Sequence, residues 1–220
     1  MTNSTIRTVL FDLDGTLIDS APALVAAANA VRRGMRLPEL PFLAMRDVCS
    51  HGVRGLLWSG LRLPPDARSF EKRKAALLAY YETHINEGCE PFDGVSTLLR
   101  HLQDHSVGWG IVTNKHSHLA RLLCEANDLH PRCLIGGDST PHPKPAPDPI
   151  YLALQELGAN PNTTLYVGDD RRDIEAGRAA GCRTIAAAWG YVGTKQAPYS
   201  WNADWVARRP LDILTILAST

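Results

Sequence analysis

The chain has little that would tie it to a polyanion or a bilayer. Lys plus Arg number 23 and Asp plus Glu number 23 in 220 residues, a formal net charge of zero. No basic run exceeds a few residues, so neither nucleic acid nor a charged membrane surface is an expected partner. No apolar run reaches the ~20 residues that a bilayer span needs. The first residues carry no charged, long apolar leader with a small-residue cleavage site, so no signal peptide is expected. The five cysteines (Cys49, Cys89, Cys124, Cys133, Cys182) are odd in number and form no CxxC pair. Reduced thiols and a cytoplasmic location are the simplest expectation. His116 and His118 have no third ligand nearby in sequence and read as surface histidines rather than a zinc site. Neither G-x-x-x-x-G-K-[ST] nor a dinucleotide glycine pattern is present, which argues against a nucleotide-driven kinase or an NAD enzyme. No heptad repeat demands an oligomer, and the oligomeric state cannot be read.

What is there collects at the ends of short apolar runs. Thr8-Val9-Leu10-Phe11 reads as a buried strand, and Asp12 and Asp14 follow it at once, before Gly15 lets the chain turn away. Strand geometry would send both carboxylates to one side. The carboxyl end of a parallel strand is where open α/β sheets bind ligands. Two buried like charges are costly unless a cation or a proton neutralises them. The pattern suits Mg²⁺-assisted phosphoryl transfer through an Asp nucleophile; the plainer alternative is a turn whose Asp residues cap a helix. A second strand, Leu165 to Gly168, ends in Asp169 and Asp170, and a helix is expected from Arg171 to Gly181 with Asp170 as its N-cap. Asp173 then falls in the first turn, facing Asp169 or simply complementing the helix dipole. A third strand ends in Thr113-Asn114, able to donate to phosphate oxygens or to form an ordinary turn. Lys144 sits in the Pro-rich run Pro141–Pro147, as a phosphate ligand or a solvated loop lysine.

Strands are expected near 8–14, 107–114, 132–137, 164–169 and 183–189, with helices near 94–105, 116–127, 147–158 and 171–181. That alternation predicts an α/β fold, a Rossmann-like doubly wound parallel sheet with helices on both faces. Trp201, Trp205 and Leu211 to Leu214 suggest a last edge strand and a closing helix. Residues 19–91 break the pattern with successive helices, Ala21–Arg33, Gly52–Leu61 and Asp66–Glu87. They read as an inserted helical cap (19–91) on a core made of 1–18 and 92–220, left through the hinge-like Pro91-Phe92-Asp93-Gly94.

Four motifs in this order resemble the haloacid dehalogenase superfamily: Asp12-Leu13-Asp14-Gly15-Thr16 its first, Thr113-Asn114 its second, Lys144 its third, and Gly168-Asp169-Asp170-Arg171-Arg172-Asp173 its fourth. Within it, Val112-Thr113-Asn114-Lys115, Ile135-Gly136-Gly137-Asp138 and Tyr166 to Asp170 look most like phosphoglycolate phosphatases. Asp170 departs from the more usual Ser or Thr. The resemblance implies a sheet with the first strand in the middle and a cap that closes over the site.

It also implies roles. Asp12 would attack phosphorus and Asp14 would act as acid and base. Thr113, Asn114, Lys144 and Thr16 would hold phosphate, Thr16 alternatively steadying its loop. Mg²⁺ would be held by Asp12, the Asp14 carbonyl, Asp169 and Asp173. Halide-expelling members typically lack an acid at the position of Asp14, so a phosphate ester is favoured. His51, Gly52 and Arg54, at a glycine-flanked helix start, could read an anionic leaving group, or be a plain capped helix with surface charges. The expected substrate is a small phosphorylated metabolite, first 2-phosphoglycolate. The alternative is N-acetylmuramic acid 6-phosphate or another sugar phosphate, whose phosphatases look closely similar. A phosphomutase using His51, or a non-catalytic phospho-switch, is less favoured.

Overall fold

A computed structural model describes residues 5–193 and 198–220; residues 1–4, where the expected absence of a leader was partly read, and 194–197 lie outside them. The elements run β1 (Thr8–Phe11), β2 (Ile18–Asp19), α1 (Ala21–Gly34), α2 (Gly52–Leu61), α3 (Phe70–Thr83), β3 (Glu90–Pro91), α4 (Val95–Asp104), β4 (Gly108–Val112), α5 (Ser117–Ala126), β5 (Leu134–Ile135), α6 (Asp148–Leu157), β6 (Thr164–Gly168), α7 (Arg171–Ala179), β7 (Arg183–Ala187), β8 (Trp205–Ala207) and α8 (Asp212–Ala218). Six strands form one parallel sheet in the order β5-β4-β1-β6-β7-β8. The first strand lies inside it, as the family resemblance implies.

The period-2 alternation of the strands sorts the core into two layers. Val9, Phe11, Ile111, Leu165, Val167 and Ile185 face the side packed by the leucines of α4 and α5 and the isoleucines of α8. Leu10, Val112 and Tyr166 face the other side, against Ile150, Ala153 and Leu154 of α6 and Ala176 of α7. Fully buried side chains such as Leu98 and Leu102 each stabilise the fold by about 1.5–3 kcal/mol. Register is the feature that makes a site: Phe11 is level with Ile111 on one side and Val167 on the other. The residues just beyond those three strands therefore emerge together at one edge of the sheet.

The strands stop earlier than their apolar runs suggest. β1 ends at Phe11, so Asp12 and Asp14 stand on the loop beyond it; Asp12 still extends the ladder through its N–H to Val167 O at 2.9 Å. Leu17 and Ile18 both donate to Leu13 O at 3.0 Å, closing a tight turn. Helix α3 begins at Phe70 rather than near Asp66, because Ala67 and Phe70 close turns onto Pro64 O and Ala67 O first. Two short 3₁₀ segments, Phe42–Ala44 and Arg46–His51, precede α2 and had no periodic signal in the sequence. The pair β2–β3 was also not foreseen: two residues on each side, antiparallel, tie together the two chain crossings at Ile18–Asp19 and Glu90–Pro91. Helix α7 is capped as expected, by Asp170 through Arg172 N at 2.9 Å, with Asp173 returning the bond to Asp170 N at 3.1 Å. The closing strand and helix are present as β8 and α8, while Trp201 precedes the strand and is buried against Ile174 and Ala186. Among the described residues no helix is long and apolar enough to cross a membrane.

Candidate active site

The ends of β1 and β6 and the first turn of α7 deliver Asp12, Asp169 and Asp173 to one point. One carboxylate oxygen from each lies within 4.8 Å of the others. Asp169 is clamped: Gly15, at φ +82°, and Gly190 lie so close that a Cβ on either would run into its side chain. It accepts from Tyr191 N at 2.8 Å and Thr16 Oγ1 at 3.2 Å, and more weakly from Ser50 Oγ at 3.4 Å. Trp189 braces the same turn, Nε1 donating to Thr16 O at 3.0 Å. Burial, with Asp12 and Asp173 beside it, pushes the Asp169 carboxyl well above its ordinary range.

Lys144 is not a solvated loop lysine. It is 3% exposed, and its Nζ reaches Asp173 Oδ1 at 2.7 Å, Val112 O and Tyr166 OH at 2.8 Å each, and Asp12 Oδ1 at 3.0 Å. Burial alone would lower its ammonium; Asp12 and Asp173 outweigh that and hold it charged well above the ordinary lysine value. Asn114 fixes the loop that carries it, Nδ2 donating to Lys144 O at 2.8 Å while Oδ1 accepts from Lys144 N at 3.0 Å. The Asn114 amide is thus committed first to the lysine loop. Thr113 is buried, and its Oγ1 accepts from Lys115 N at 3.2 Å, which leaves the hydroxyl proton to give.

Thr16 stands apart from the expected phosphate binders. Its hydroxyl is bonded to Asp169, it is fully buried, and it is not in the cavity lining, so it steadies the loop. The Asp14 carboxylate also lies outside the acidic cluster; it accepts from Lys115 Nζ at 2.9 and 3.1 Å and from Ser20 Oγ. Asp12, Asp14, Thr113, Asn114, Lys144, Asp169 and Asp173 all line one cavity of about 720 Å³. His51, Gly52 and Arg54 line it from residues 19–91. Ser50 does not cap α2 with its side chain; that hydroxyl points to Asp169 instead.

Sequence reasoning missed the pairings of two contributors, Lys115 and Arg172, and for a third, Tyr191, left open whether it lines the mouth of the site or packs. Lys115 binds Asp14. Arg172 grips Asp170 at 2.8 and 2.9 Å and reaches Ser50 O at 2.5 Å, joining α7 to the loop before α2. Tyr191 receives the N–H groups of Ser20 and Ala21 on its hydroxyl at 2.6 and 2.9 Å. Lys115 stood beside a motif and Arg172 within one, so position offered a signal; the place of Trp189-Gly190-Tyr191 after β7 pointed to the mouth of the site or to packing, without a partner for the Tyr191 hydroxyl. His116 and His118 are exposed, as expected, paired with Asp138 and Glu82. All five cysteines are free and buried.

The cluster fits a small hard cation. Its donors are all carboxylate oxygens, only two of the three carboxylates pair with the one ammonium, and Asp12 Oδ1 is buried without a hydrogen bond of good geometry.

Comparison with known proteins agrees with this geometry. The model of the haloacid dehalogenase-like hydrolases matches residues 9–187. The chain belongs to this family. A phosphoglycolate phosphatase of Xylella fastidiosa is 40% identical over 211 residues, covering 94% of this chain and 91% of that one. An N-acetylmuramic acid 6-phosphate phosphatase of Pseudomonas aeruginosa is 35% identical over 214 residues, covering 96% and 95%. Among solved structures, a predicted phosphoglycolate phosphatase from Haemophilus somnus superposes with a TM-score of 0.81 at 24% identity, over 97% and 98% of the two chains, and shares the fold of this haloacid dehalogenase-like hydrolase.

Proposed function

We propose that this chain is a Mg²⁺-dependent phosphomonoester phosphatase working through an aspartyl phosphate, with 2-phosphoglycolate as its first candidate substrate. The observation that carries the reading is the meeting of Asp12 with Lys144, Asp169 and Asp173 at the floor of a cavity that Asp14 also lines.

An Asp12 carboxylate oxygen attacks phosphorus. The bond from phosphorus to the ester oxygen breaks, its electron pair stays on that oxygen, and Asp14 gives the oxygen a proton. Water then attacks the phosphorus of the aspartyl phosphate and yields a proton to Asp14. The bond from phosphorus to Asp12 breaks, releasing phosphate and restoring the Asp12 carboxylate and the protonated Asp14. Lys144 offsets charge on the transferred group and Thr113 donates to it. Asp12, Asp169, Asp173 and the Asp14 carbonyl would hold Mg²⁺, which when bound neutralises carboxylate and phosphate charge and lets the two approach.

Residues 19–91 serve as a cap on the core of 1–18 and 92–220, with the β2–β3 pair at its two crossings. His51, Gly52 and Arg54, brought to the cavity wall, read an anionic leaving group. A carboxylate on the leaving group satisfies such a reader. The cavity of about 720 Å³ is larger than a two-carbon glycolate fills, which supports N-acetylmuramic acid 6-phosphate as a second reading. Five free, buried cysteines support a cytoplasmic location for the enzyme.

The test is phosphate release from both esters with Mg²⁺, with EDTA, and with Asp12→Asn. EDTA and the substitution should each abolish release, and the ester with the higher kcat/KM identifies the substrate. Turnover that survives either change would end the mechanism.

A further inference from the structure

The cavity holds a second buried cation that the phosphate-transfer residues leave unused. Lys115 follows Asn114 at the end of β4, its side chain is 8% exposed, and its Nζ donates to both Asp14 oxygens, at 2.9 Å to Oδ1 and 3.1 Å to Oδ2. Ser20 Oγ also bonds Oδ1. Oδ1 thus takes two donors and is anchored, while Oδ2 takes one and keeps a lone-pair direction for the substrate. On its other side the ammonium lies 4.5 Å from the ring centre of Tyr81, within reach of the ring's negative face. Tyr81 belongs to α3, is buried, and lines the same cavity. Its hydroxyl has no hydrogen-bond partner of good geometry, and it lies near enough to the Lys115 ammonium to act on it electrostatically.

We propose that Lys115 is the positioning residue for Asp14 and that Tyr81 holds Lys115 from α3, so that the acid is aimed only while that helix is seated. The inference rests on the phosphatase reading and deepens it. Lys144 already supplies the ammonium beside Asp12, so a second one on Asp14 has orientation as its task. A loose acid harms a reaction in proportion to the leaving oxygen's need for a proton. An alkoxide needs one; p-nitrophenolate leaves as a stable anion and does not.

The experiment compares kcat and KM on p-nitrophenyl phosphate and on whichever of the two alkyl phosphates the wild type hydrolyses. Lys115→Met should lower kcat on the alkyl ester by about 10²-fold, with a loss on the aryl ester at least about tenfold smaller and no matching change in KM. Lys115→Arg should return part of the alkyl-ester rate, and Tyr81→Leu should show the same skew at smaller size. Equal losses on both esters would overturn the proposal, leaving Lys115 a merely structural role. A raised KM with kcat intact would also overturn it, making Lys115 a substrate ligand. If Lys115→Met does not fold, the same ratio measured on Lys115→Gln decides. A wild type inactive on every ester would end the phosphatase reading itself, whereas an active wild type with unskewed variants ends this inference alone.

Discussion

Two buried lysines serve one aspartate-bearing loop, and they are built differently. Lys144 sits among Asp12, Asp173, Tyr166 and a backbone carbonyl. Lys115 has a single carboxylate, Asp14, and an aromatic face. The first is the cation of an acidic cluster whose charge it only partly offsets. The second leaves its site nearly balanced. In each, burial opposes the charged ammonium and neighbouring carboxylates restore it, Asp14 for Lys115 and Asp12 with Asp173 for Lys144. Charge density separates neutralising a site from aiming a side chain.

The largest effect that would break the comparison is on stability. Lys144→Met strands two carboxylates, Asp12 and Asp173, and should cost about 3–5 kcal/mol, read as a lowered denaturation midpoint, with added Mg²⁺ recovering part of it. Lys115→Met strands one carboxylate and should cost clearly less. If the two variants melt alike, the distinction between the lysines is void.

A smaller effect tests how the loop before α2 is held to α7. Arg172→Ala removes the link from Asp170 to Ser50 O. A charged hydrogen bond of this kind is worth about 1.5–3 kcal/mol, discounted here because the guanidinium is partly exposed. A fall of roughly tenfold in kcat/KM is expected, carried mainly by KM if Ser50 and its neighbours contact the leaving group. An unchanged KM with lowered kcat would place Arg172 with the acid instead.

The smallest effect concerns the thiols. Burial raises Cys89 to about 11 and Cys124, Cys133 and Cys182 to about 12. A raised thiol value keeps the sulfur protonated up to higher pH, so the nucleophilic thiolate is scarce at pH 8. Native protein should resist an alkylating reagent there and react after unfolding. Rapid labelling of a folded sample would contradict this burial.

Most of the architecture was legible because its signals are local. Apolar runs of strand length, helix periods between them, and Asp170 with Gly181 around α7 each declare themselves within a dozen residues. The strand ends were overextended because Asp12 still donates along the ladder while its side chain serves the site. The β2–β3 pair was missed because two residues carry no period to read. Thr16 was open to either role in sequence; its partner Asp169 lies 153 residues away.

The sequence by itself determined which side chains would carry chemistry: carboxylates, a hydroxyl, an amide and a lysine after buried strands, in an order that resembles one superfamily. Tertiary structure alone decided how they are shared out. Lys115 meets Asp14 across 101 residues and Arg172 meets Ser50 across 122, and no local pattern encodes either pairing. The physical reason is strand adjacency. β4 and β6 flank β1 in register, so the residues after all three rise from one edge of the sheet, and only there does distance choose which ammonium each carboxylate receives.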